Sequence, residues 1–280
     1  MVMSANARTS RLDELRLHIK SLGSALICFS GGIDSALVLA VATEQLGELA
    51  IGLTAVSASL PEGERADAER LAHELKANVR FVESHEIDKP LYARNAEDRC
   101  FHCKTELYEL AEHERIQLGL QYIVNGTNSD DTGDYRPGLV AALNARVRSP
   151  LLELGLSKAD VRAAAQDLGL DVWDKPAAAC LSSRIPYGTS VTKERLQQID
   201  KFETGLKALG FRQVRVRWHD QIARIEVPLN ELGLTLEDQN RENIVAMGRE
   251  CGFHFITLDL VGYRMGSHNE LLQGKNLKLL

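Results

Sequence analysis

The sequence predicts an α/β protein in which a parallel, doubly wound sheet precedes a small α+β domain. Short apolar runs alternate with amphipathic helical segments up to about residue 127, which is typical of a parallel sheet with helices on its faces. Turn residues bound several of these runs. After residue 190 the pattern changes to alternating strands. We therefore expect two domains, residues 1–190 and residues 191–280.

The N-terminal elements follow in a regular order. The segment SRLDELRLHIKSLG has Leu12, Leu15, Ile19 and Leu22 at helical spacing after Ser10, a suitable N-cap. Four apolar runs follow and predict strands: SALICFS, ELAIGLTAVS, NVRFVES and QYIVNGT. Between them lie the helical segments 35–46, PEGERADAERLAHELKA and KTELYELAEHERIQLGL. This order predicts a parallel sheet.

Later segments predict a capped helix and the second domain. In LSKADVRAAAQDLGL, Ser157 precedes the helix and Asp160 can complete a capping box. TKERLQQIDKFETGLKALG then predicts a helix, QVRVRWH and ARIEVPL an antiparallel strand pair, LEDQNRENIVAMGREC a helix and FHFITLDL a strand. We expect this small α+β domain to bind substrate or to form an oligomer contact.

Composition narrows the functional classes. The 280 residues carry a net charge of −6 without a long Lys/Arg run, which argues against nucleic acid and favours a small ligand. No apolar run approaches the ~20 residues of a membrane span, and the first residues lack a secretory signal. We expect a cytoplasmic protein. In that reducing compartment, cysteines are more often ligands, nucleophiles or core residues than disulfides. The chain has five of them: Cys28, Cys100, Cys103, Cys180 and Cys251.

The stretch ICFSGGIDSALVLAV combines a strand, a glycine pair and the start of a helix. Small residues let backbone N–H groups face a ligand at the end of the strand, and the helix N-terminus adds positive charge. A phosphate is therefore the expected ligand, although a capped strand-to-helix turn without a ligand is the alternative. The stretch matches neither GxxxxGK[ST] nor GxGxxG.

The motif SGGIDS resembles the SGGxDS signature of the ATP pyrophosphatase, or PP-loop, family, whose fold is adenine nucleotide alpha hydrolase-like. Family members cleave ATP between its α and β phosphates and so adenylate a substrate. The resemblance implies that ATP binds at Ser30, Gly31, Gly32, Asp34 and Ser35, with Asp34 also helping to hold Mg²⁺. It further implies adenine contacts along IGLTAVSA, which includes Thr54.

An acidic loop, NGTNSDDTGDYRPG, follows the fourth predicted strand. Family members use such a loop at the ATP site, so we expect Gly126 and Asp130 to contact the nucleotide. Carboxylate oxygens suit Mg²⁺, and Asp130, Asp131 and Asp134 offer three. A solvated turn with helix-capping aspartates is the alternative for each of them.

The segment SPLLELGLSKADVRAAAQDLGLDVWDKPAAACLSSRIPYGTSVT resembles the region around the reactive cysteine of the LarE family. VRVRWHDQIARIEV and LDLVGYRMGS resemble the tail of the same family, so that the resemblance covers roughly residues 10–270. LarE proteins are sulfur transferases that mature the nickel-pincer nucleotide cofactor of lactate racemase. The implied substrate is pyridinium-3,5-biscarboxylic acid mononucleotide.

The resemblance makes Cys180 the sulfur-bearing cysteine. In the simplest members this cysteine gives up its own sulfur and becomes dehydroalanine. The thiolate is the nucleophile, and Arg184, four residues later, is the expected cation beside it. Without the resemblance, a small buried side chain would be the alternative for Cys180.

The sequence departs from the single-cysteine pattern at Cys100 and Cys103, which form a C-x-x-C pair. Three alternatives stay open. Together with Cys180 they could hold a [4Fe-4S] cluster with one open iron, as related three-cysteine enzymes do. They could instead be a dithiol that renews a persulfide on Cys180. A zinc site would need a fourth ligand, such as His102 or Cys251.

The second domain offers candidate substrate ligands. Arg215 and Arg217 alternate along QVRVRWH, so that they share one face and suit the substrate's phosphate. By the resemblance, Glu203 and Glu226 line the active site and could hold a metal. Ser183 and Arg264 are further candidates for substrate contact.

These observations predict an adenylating sulfur transferase that uses ATP and Mg²⁺ and acts on a small nucleotide. A tRNA thiolase, another PP-loop adenylating enzyme and a non-catalytic sulfide or metal carrier are the alternatives. We expect no membrane partner and no nucleic acid. The family implies a homo-oligomer and a handover of product to a nickel-inserting protein.

Overall fold

The computed structural model describes residues 10–133, 137–176 and 179–264. The helices and strands of the N-terminal part are, in chain order, α1 Arg11–Ser21, β1 Ala25–Cys28, α2 Ile33–Leu46, β2 Ala50–Val56, α3 Glu62–Glu74, β3 Asn78–Glu83, α4 Pro90–Ala93, α5 Arg99–Gln117 and β4 Tyr122–Val124. They are followed by α6 Pro137–Asn144, α7 Pro150–Glu153, α8 Lys158–Asp167, α9 Lys193–Ala208, β5 Arg215–His219, β6 Ile222–Glu226, α10 Leu232–Leu236, α11 Asp238–Glu250 and β7 Phe255–Leu258. No helix in these ranges is long and apolar enough to cross a bilayer.

The chain forms two compact units. The first comprises Met1–Val56, Glu64–Ser84 and Cys103–Ala177, and the second comprises Ser57–Gly63, His85–His102 and Ala178–Leu280. Each unit therefore contains more than one stretch of chain. The two-domain division after residue 190 stays a prediction.

The first unit contains a four-stranded parallel sheet in the order β3-β2-β1-β4. All four predicted strands are present, and the parallel α/β prediction is confirmed for this unit. Its core is formed by apolar residues of the helices and of the short central strands, among them Leu15, Ile27, Leu37, Val38, Leu151 and Val161. Burial on both faces explains why β1 has no polar residue in Ala25–Cys28.

The strand order has a direct consequence for ligand binding. From β1 the chain proceeds outward to β2 and β3, and then returns to place β4 on the other side of β1. In such a sheet the carboxyl ends of the two strands at the reversal leave a crevice, where ligands bind. Here those ends lead into Ser30–Gly32 and Asn125–Asn128.

The second unit contains a three-stranded sheet in the order β5-β6-β7. The predicted antiparallel pair is β5 and β6, whereas β7 lies parallel to β6 after the connecting helix α11. Helix α9 buries Leu196, Ile199, Phe202 and Leu206, and the ring of Phe202 packs 6.0 Å from that of Phe253. This arrangement fixes α9 in the core of the unit.

Helix α5 begins earlier than its sequence pattern predicts. The apolar periodicity indicates a start near Lys104, but the helix begins at Arg99 and includes both cysteines of the C-x-x-C pair. Asp98 precedes it, and its carboxylate contacts His102 Nε2 at 3.1 Å. A carboxylate at a helix N-terminus is stabilised by the helix dipole, which explains the additional turn.

Candidate active site

The loop after β1 is built to hold an anion. Gly32 is the N-cap of the 14-residue helix α2, whose first backbone N–H groups have no partner within the helix. Gly31 has a φ of +72°, and a Cβ there would lie 3.1 Å from the Cβ of Ala68. Only glycine adopts this conformation without strain in so little space. The predicted phosphate loop therefore has the backbone that a phosphate ligand requires.

Two serines stabilise this loop. The hydroxyl of Ser35 donates to the Gly32 carbonyl at 3.0 Å and accepts from the backbone N–H of Ser30 at 3.2 Å. The two serine hydroxyls are 3.2 Å apart. These bonds keep the loop in one shape before any ligand binds, which reduces the entropy cost of binding.

Gly126 lets the loop after β4 approach the start of α2. A Cβ on Gly126 would lie 2.7 Å from the Ser35 nitrogen and 2.8 Å from the Asp34 carbonyl carbon. Real Cβ atoms do not approach backbone atoms so closely. The structure thus gives a physical reason for glycine at this predicted site residue.

Asp34 is held by a cation and an amide. Its carboxylate accepts from Lys158 Nζ at 2.5 Å and from Asn128 Nδ2 at 3.0 Å. Asp130 contributes in another way, because its Oδ2 accepts from the Lys158 backbone nitrogen at 3.0 Å and so caps α8. Lys158 and Asn128 are residues that the sequence reasoning missed. Only the fold reveals them, because they are 124 and 94 residues from Asp34.

The donors and close glycine contacts at this edge fit the phosphate groups of a nucleotide. Mg²⁺ bound through substrate phosphates needs only one or two protein carboxylates, and Asp34 would supply one. Thr54 is buried, and its hydroxyl donates to the Phe29 carbonyl at 2.8 Å, so it links β2 to the loop. Its contact with ATP stays a prediction. Asp134 lies outside the described residues.

Cys180 lies in the second unit, immediately before a short 3-10 helix at Leu181–Arg184. Its side chain is partly buried. The Cys180 carbonyl accepts from Arg184 Nη1 at 3.0 Å and from the Ser183 N–H at 3.0 Å. The Leu181 N–H donates to the Ser59 carbonyl at 2.9 Å. The peptide group that follows this cysteine is therefore fixed by hydrogen bonds at both its carbonyl and its N–H.

Arg184, predicted as the cation beside Cys180, is buried and forms a two-bond ion pair with Glu203. Nε and Nη2 donate to the two carboxylate oxygens at 2.9 and 3.0 Å. Burial acts to lower the pKa of Arg184, but the attraction of Glu203 outweighs it and the pKa is raised. Burial acts to raise the pKa of Glu203, but the attraction of Arg184 outweighs it and the pKa is lowered. Both groups are therefore charged at neutral pH.

A second arginine beside Cys180 was not predicted. The guanidinium of Arg99 is buried, and Nη1 donates to the Ser182 carbonyl at 2.8 Å. Burial acts to lower the pKa of Arg99, whereas the electrostatic attraction of Cys180 and then of Cys100 raises it, and the net direction is upward. Nothing in the local pattern around Arg99 distinguishes it from an exposed arginine at a helix start.

Arg215 and Arg217 are both buried on β5. Arg217 donates to Glu226 at 2.7 Å and to the Ser183 carbonyl at 2.9 Å. The guanidinium of Arg215 lies 5.3 Å from the ring centre of Tyr263. Burial lowers the pKa of Arg215, and nearby Arg184 lowers it further.

The remaining predicted residues have the following contacts. Glu226 is fully buried and also pairs with Arg224 at 3.1 Å, so both glutamates proposed as metal ligands contact arginines here. The Ser183 hydroxyl accepts from Arg184 at 3.0 Å. Arg264 donates to the Gly262 carbonyl at 3.2 Å. Their roles in binding stay predictions.

Cys100 and Cys103 lie one turn apart at the start of α5 and therefore share a side of the helix. In the described part of the chain, no three His, Cys, Asp or Glu side chains come together as a metal-binding group. We derive no reaction step through a cluster.

Comparison with known proteins gives three full-length similarities. An uncharacterized protein of Synechocystis sp. is 43% identical over 94% of this chain and 98% of its own. The pyridinium-3,5-bisthiocarboxylic acid mononucleotide synthase of Lactiplantibacillus plantarum is 38% identical over 91% of this chain and 92% of its own. An uncharacterized protein of Methanocaldococcus jannaschii is 28% identical over 85% of this chain and 90% of its own. No protein-family model matches. Identity of this extent to the synthase shows that the chain belongs to the LarE family.

Proposed function

We propose that this protein is an ATP-dependent sulfur transferase that converts a carboxylate of pyridinium-3,5-biscarboxylic acid mononucleotide into a thiocarboxylate. The observation that carries the proposal is the setting of Cys180, a partly buried cysteine whose carbonyl accepts from buried Arg184 at 3.0 Å and whose following segment accepts, at Ser182, from buried Arg99 at 2.8 Å. Similarity to the synthase supports the substrate class.

The first step would be adenylation. A substrate carboxylate oxygen attacks the α-phosphorus of ATP, and the bond to pyrophosphate breaks. The backbone N–H groups of the loop 30–32 and the ammonium of Lys158 would stabilise the negative charge on pyrophosphate. Mg²⁺, held in part by Asp34, would supply further charge neutralisation. The product is an acyl-adenylate, in which AMP is a much better leaving group than a carboxylate oxygen.

The second step would be transfer of sulfur. The Cys180 thiolate attacks the acyl carbon, a carbon–sulfur bond forms, and AMP leaves with the electron pair of the broken carbon–oxygen bond. A thiolate at this position is attracted by the guanidinium groups of Arg99 and Arg184. The positive charge of Arg215 and Arg217 would attract the phosphate of the substrate, while Ser183 and Arg264 are candidates for further contacts.

The origin of the sulfur distinguishes two routes. In the sacrificial route, loss of the Cys180 α-proton and cleavage of its Cβ–Sγ bond release the thiocarboxylate and leave dehydroalanine. In the renewable route, Cys180 carries a persulfide whose outer sulfur forms the acyl bond. The thiolate of Cys100 then attacks the inner sulfur, which releases the thiocarboxylate and leaves a Cys100–Cys180 disulfide. A hydrosulfide ion that attacks this disulfide at Cys180 would release the Cys100 thiolate and form the persulfide again, with the disulfide as the oxidant.

Anaerobic purification followed by iron, sulfide and zinc analysis tests the third alternative, the cluster. About four irons per chain in the wild type and none in Cys100→Ala would establish a [4Fe-4S] site. Wild-type protein without iron or zinc would exclude both the cluster and the zinc site as purified.

Pyrophosphate release tests the reaction class itself. We expect release from ATP with the pyridinium nucleotide and no release with tRNA. A tRNA thiolase would give the opposite result, and a non-catalytic carrier would release pyrophosphate with neither. A link to lactate racemase, a homo-oligomeric state and a handover to a nickel-inserting partner are predictions from the family that this assay does not address.

A further inference from the structure

Asn95 is an unusual residue near the segment that follows Cys180. It is completely buried, and its backbone has a φ of +55°, a left-handed conformation that is uncommon in residues other than glycine. Its amide nitrogen donates to the carbonyls of Ile185, Pro186 and Thr189 at 3.2, 2.9 and 2.9 Å. One side chain thus contacts a five-residue stretch at three carbonyls.

The other end of the same amide is bound to Arg99. Asn95 Oδ1 accepts from Arg99 Nη1 at 2.5 Å, and the same nitrogen donates to the Ser182 carbonyl. Asn95 and Arg99 are therefore joined to each other and, between them, to residues 182–189. We refer to these two side chains as the clasp.

Backbone and hydroxyl contacts reinforce the clasp. The Gly188 N–H donates to the Asn95 carbonyl at 2.9 Å, and the Val191 N–H donates to the Ala93 carbonyl at 2.8 Å. The hydroxyls of Tyr92 and Ser182 lie 2.6 Å apart in the buried interior. Asparagine adopts a left-handed φ more readily than most residues, so these contacts, and not backbone strain, distinguish the clasp.

The clasp has no part in binding ATP phosphates, because its contacts are with the chain after Cys180. Nucleophilic attack requires the sulfur and the acyl carbon to approach in a narrow geometry, and a misplacement of ~1 Å can reduce a rate by about 100-fold. Arg99 additionally places a buried positive charge on the Ser182 carbonyl, two residues after Cys180. Positional control and charge are thus combined in one buried pair.

We propose that Asn95 and Arg99 are positioning residues for sulfur transfer. They hold the segment after Cys180 so that the Cys180 sulfur reaches the acyl-adenylate. The inference rests on the proposed function. It adds that the clasp governs the second step and not the first. Loosening it should uncouple the steps, so that water consumes the acyl-adenylate.

The test measures both products of the first turnover in one reaction. ATP, the pyridinium nucleotide and sulfide are added to anaerobically purified wild type, Asn95→Gly and Arg99→Lys, and pyrophosphate and thiocarboxylate are quantified. Asn95→Gly removes the amide but tolerates the left-handed backbone, and Arg99→Lys keeps the charge but loses the planar fork. The matched control is Asp220→Gly, which replaces an exposed residue with a φ of +57° in the same unit.

We expect both clasp variants to release pyrophosphate at the wild-type rate, which also shows that they fold. The amount of thiocarboxylate formed per pyrophosphate released should fall about 10- to 100-fold, with the smaller fall in Arg99→Lys. The control Asp220→Gly should give the wild-type ratio. An unchanged ratio in both clasp variants, or an equal loss of both products, would overturn the clasp while leaving the proposed function intact. Wild-type protein that forms neither product would overturn both.

Discussion

At the scale of single residues, two glycines determine how closely backbone segments approach at the nucleotide loop. Gly31 has a left-handed φ beside Ala68, and Gly126 lies against the backbone of Asp34 and Ser35. Neither position has room for a Cβ without movement of backbone. The loop after β4 and the start of α2 thus depend on each other for their position.

Replacement of Gly126 by alanine tests this dependence. The added methyl group must push the two backbone segments apart, and overpacking of this kind costs about 1–3 kcal/mol. We expect ATP affinity to fall about tenfold or more, measured by calorimetric titration. Gly63→Ala is the matched control, because a Cβ at Gly63 meets no atom within 4 Å. Equal ATP affinity in the two variants would contradict the role given to Gly126.

At the scale of elements, apolar runs bounded by polar turns are sufficient to predict the strands, both for buried β1 and for half-exposed β3. The predicted Ser157–Asp160 capping box and Ser10 cap are also confirmed. Both could be predicted because they depend only on neighbours within three residues. The start of α5 was predicted wrongly. Its first turn depends on Asp98 and on buried contacts of Arg99, which periodicity does not register.

The candidate site divides in the same way. SGGIDS predicts a phosphate loop from local chemistry alone, and the fold supplies the crevice at the strand reversal. Lys158, Asn128, Asn95 and Arg99 escaped prediction because their partners are distant in sequence. The contact of Arg184 with the Cys180 carbonyl joins residues four apart in the sequence, whereas the contact of Arg99 with Ser182, 83 residues away, is visible only in the fold.

Helix α7 offers a test of element packing through pH. Glu153 accepts from Arg148 Nη2 at 2.6 Å, from the Ser149 N–H at 2.8 Å, and contacts His18 on α1 at 2.8 Å. Mainly through Arg148, these groups lower the pKa of Glu153 to about 2. Because the pKa is depressed in the folded state, the ionised carboxylate stabilises the fold at pH values above the unfolded pKa of about 4.3. This contribution is lost as the pH falls towards 2.

We therefore expect Glu153→Gln to lower the free energy of unfolding at pH 7 by about 1–2 kcal/mol, after allowance for partial solvent exposure. The difference from the wild type should shrink between about pH 4.5 and pH 3, as followed by chemical denaturation. Exposed Glu48→Gln, which lacks these contacts, should show no such trend. A difference that is constant with pH would count against the ion-pair explanation.

At the scale of the whole molecule, the two compact units carry different parts of the proposed reaction. Residues for adenylation, including Asp34 and Lys158, belong to the first unit, whereas Cys180 and its arginines belong to the second. Adenylation and sulfur transfer should therefore be separable by mutation. The division explains why SGGIDS alone indicates only the superfamily, while the region around Cys180 indicates the sulfur chemistry.

The most direct test of the central claim is a single-turnover reaction with ATP and the pyridinium nucleotide, in which pyrophosphate and thiocarboxylate are measured for wild type, Cys180→Ala and the control Cys251→Ala. We predict both products from the wild type and from Cys251→Ala. Cys180→Ala should release pyrophosphate but form no thiocarboxylate, since the loop 30–32 is intact and the sulfur carrier is absent. Thiocarboxylate formation by Cys180→Ala at the wild-type rate would contradict the assignment of Cys180 as the residue that transfers sulfur.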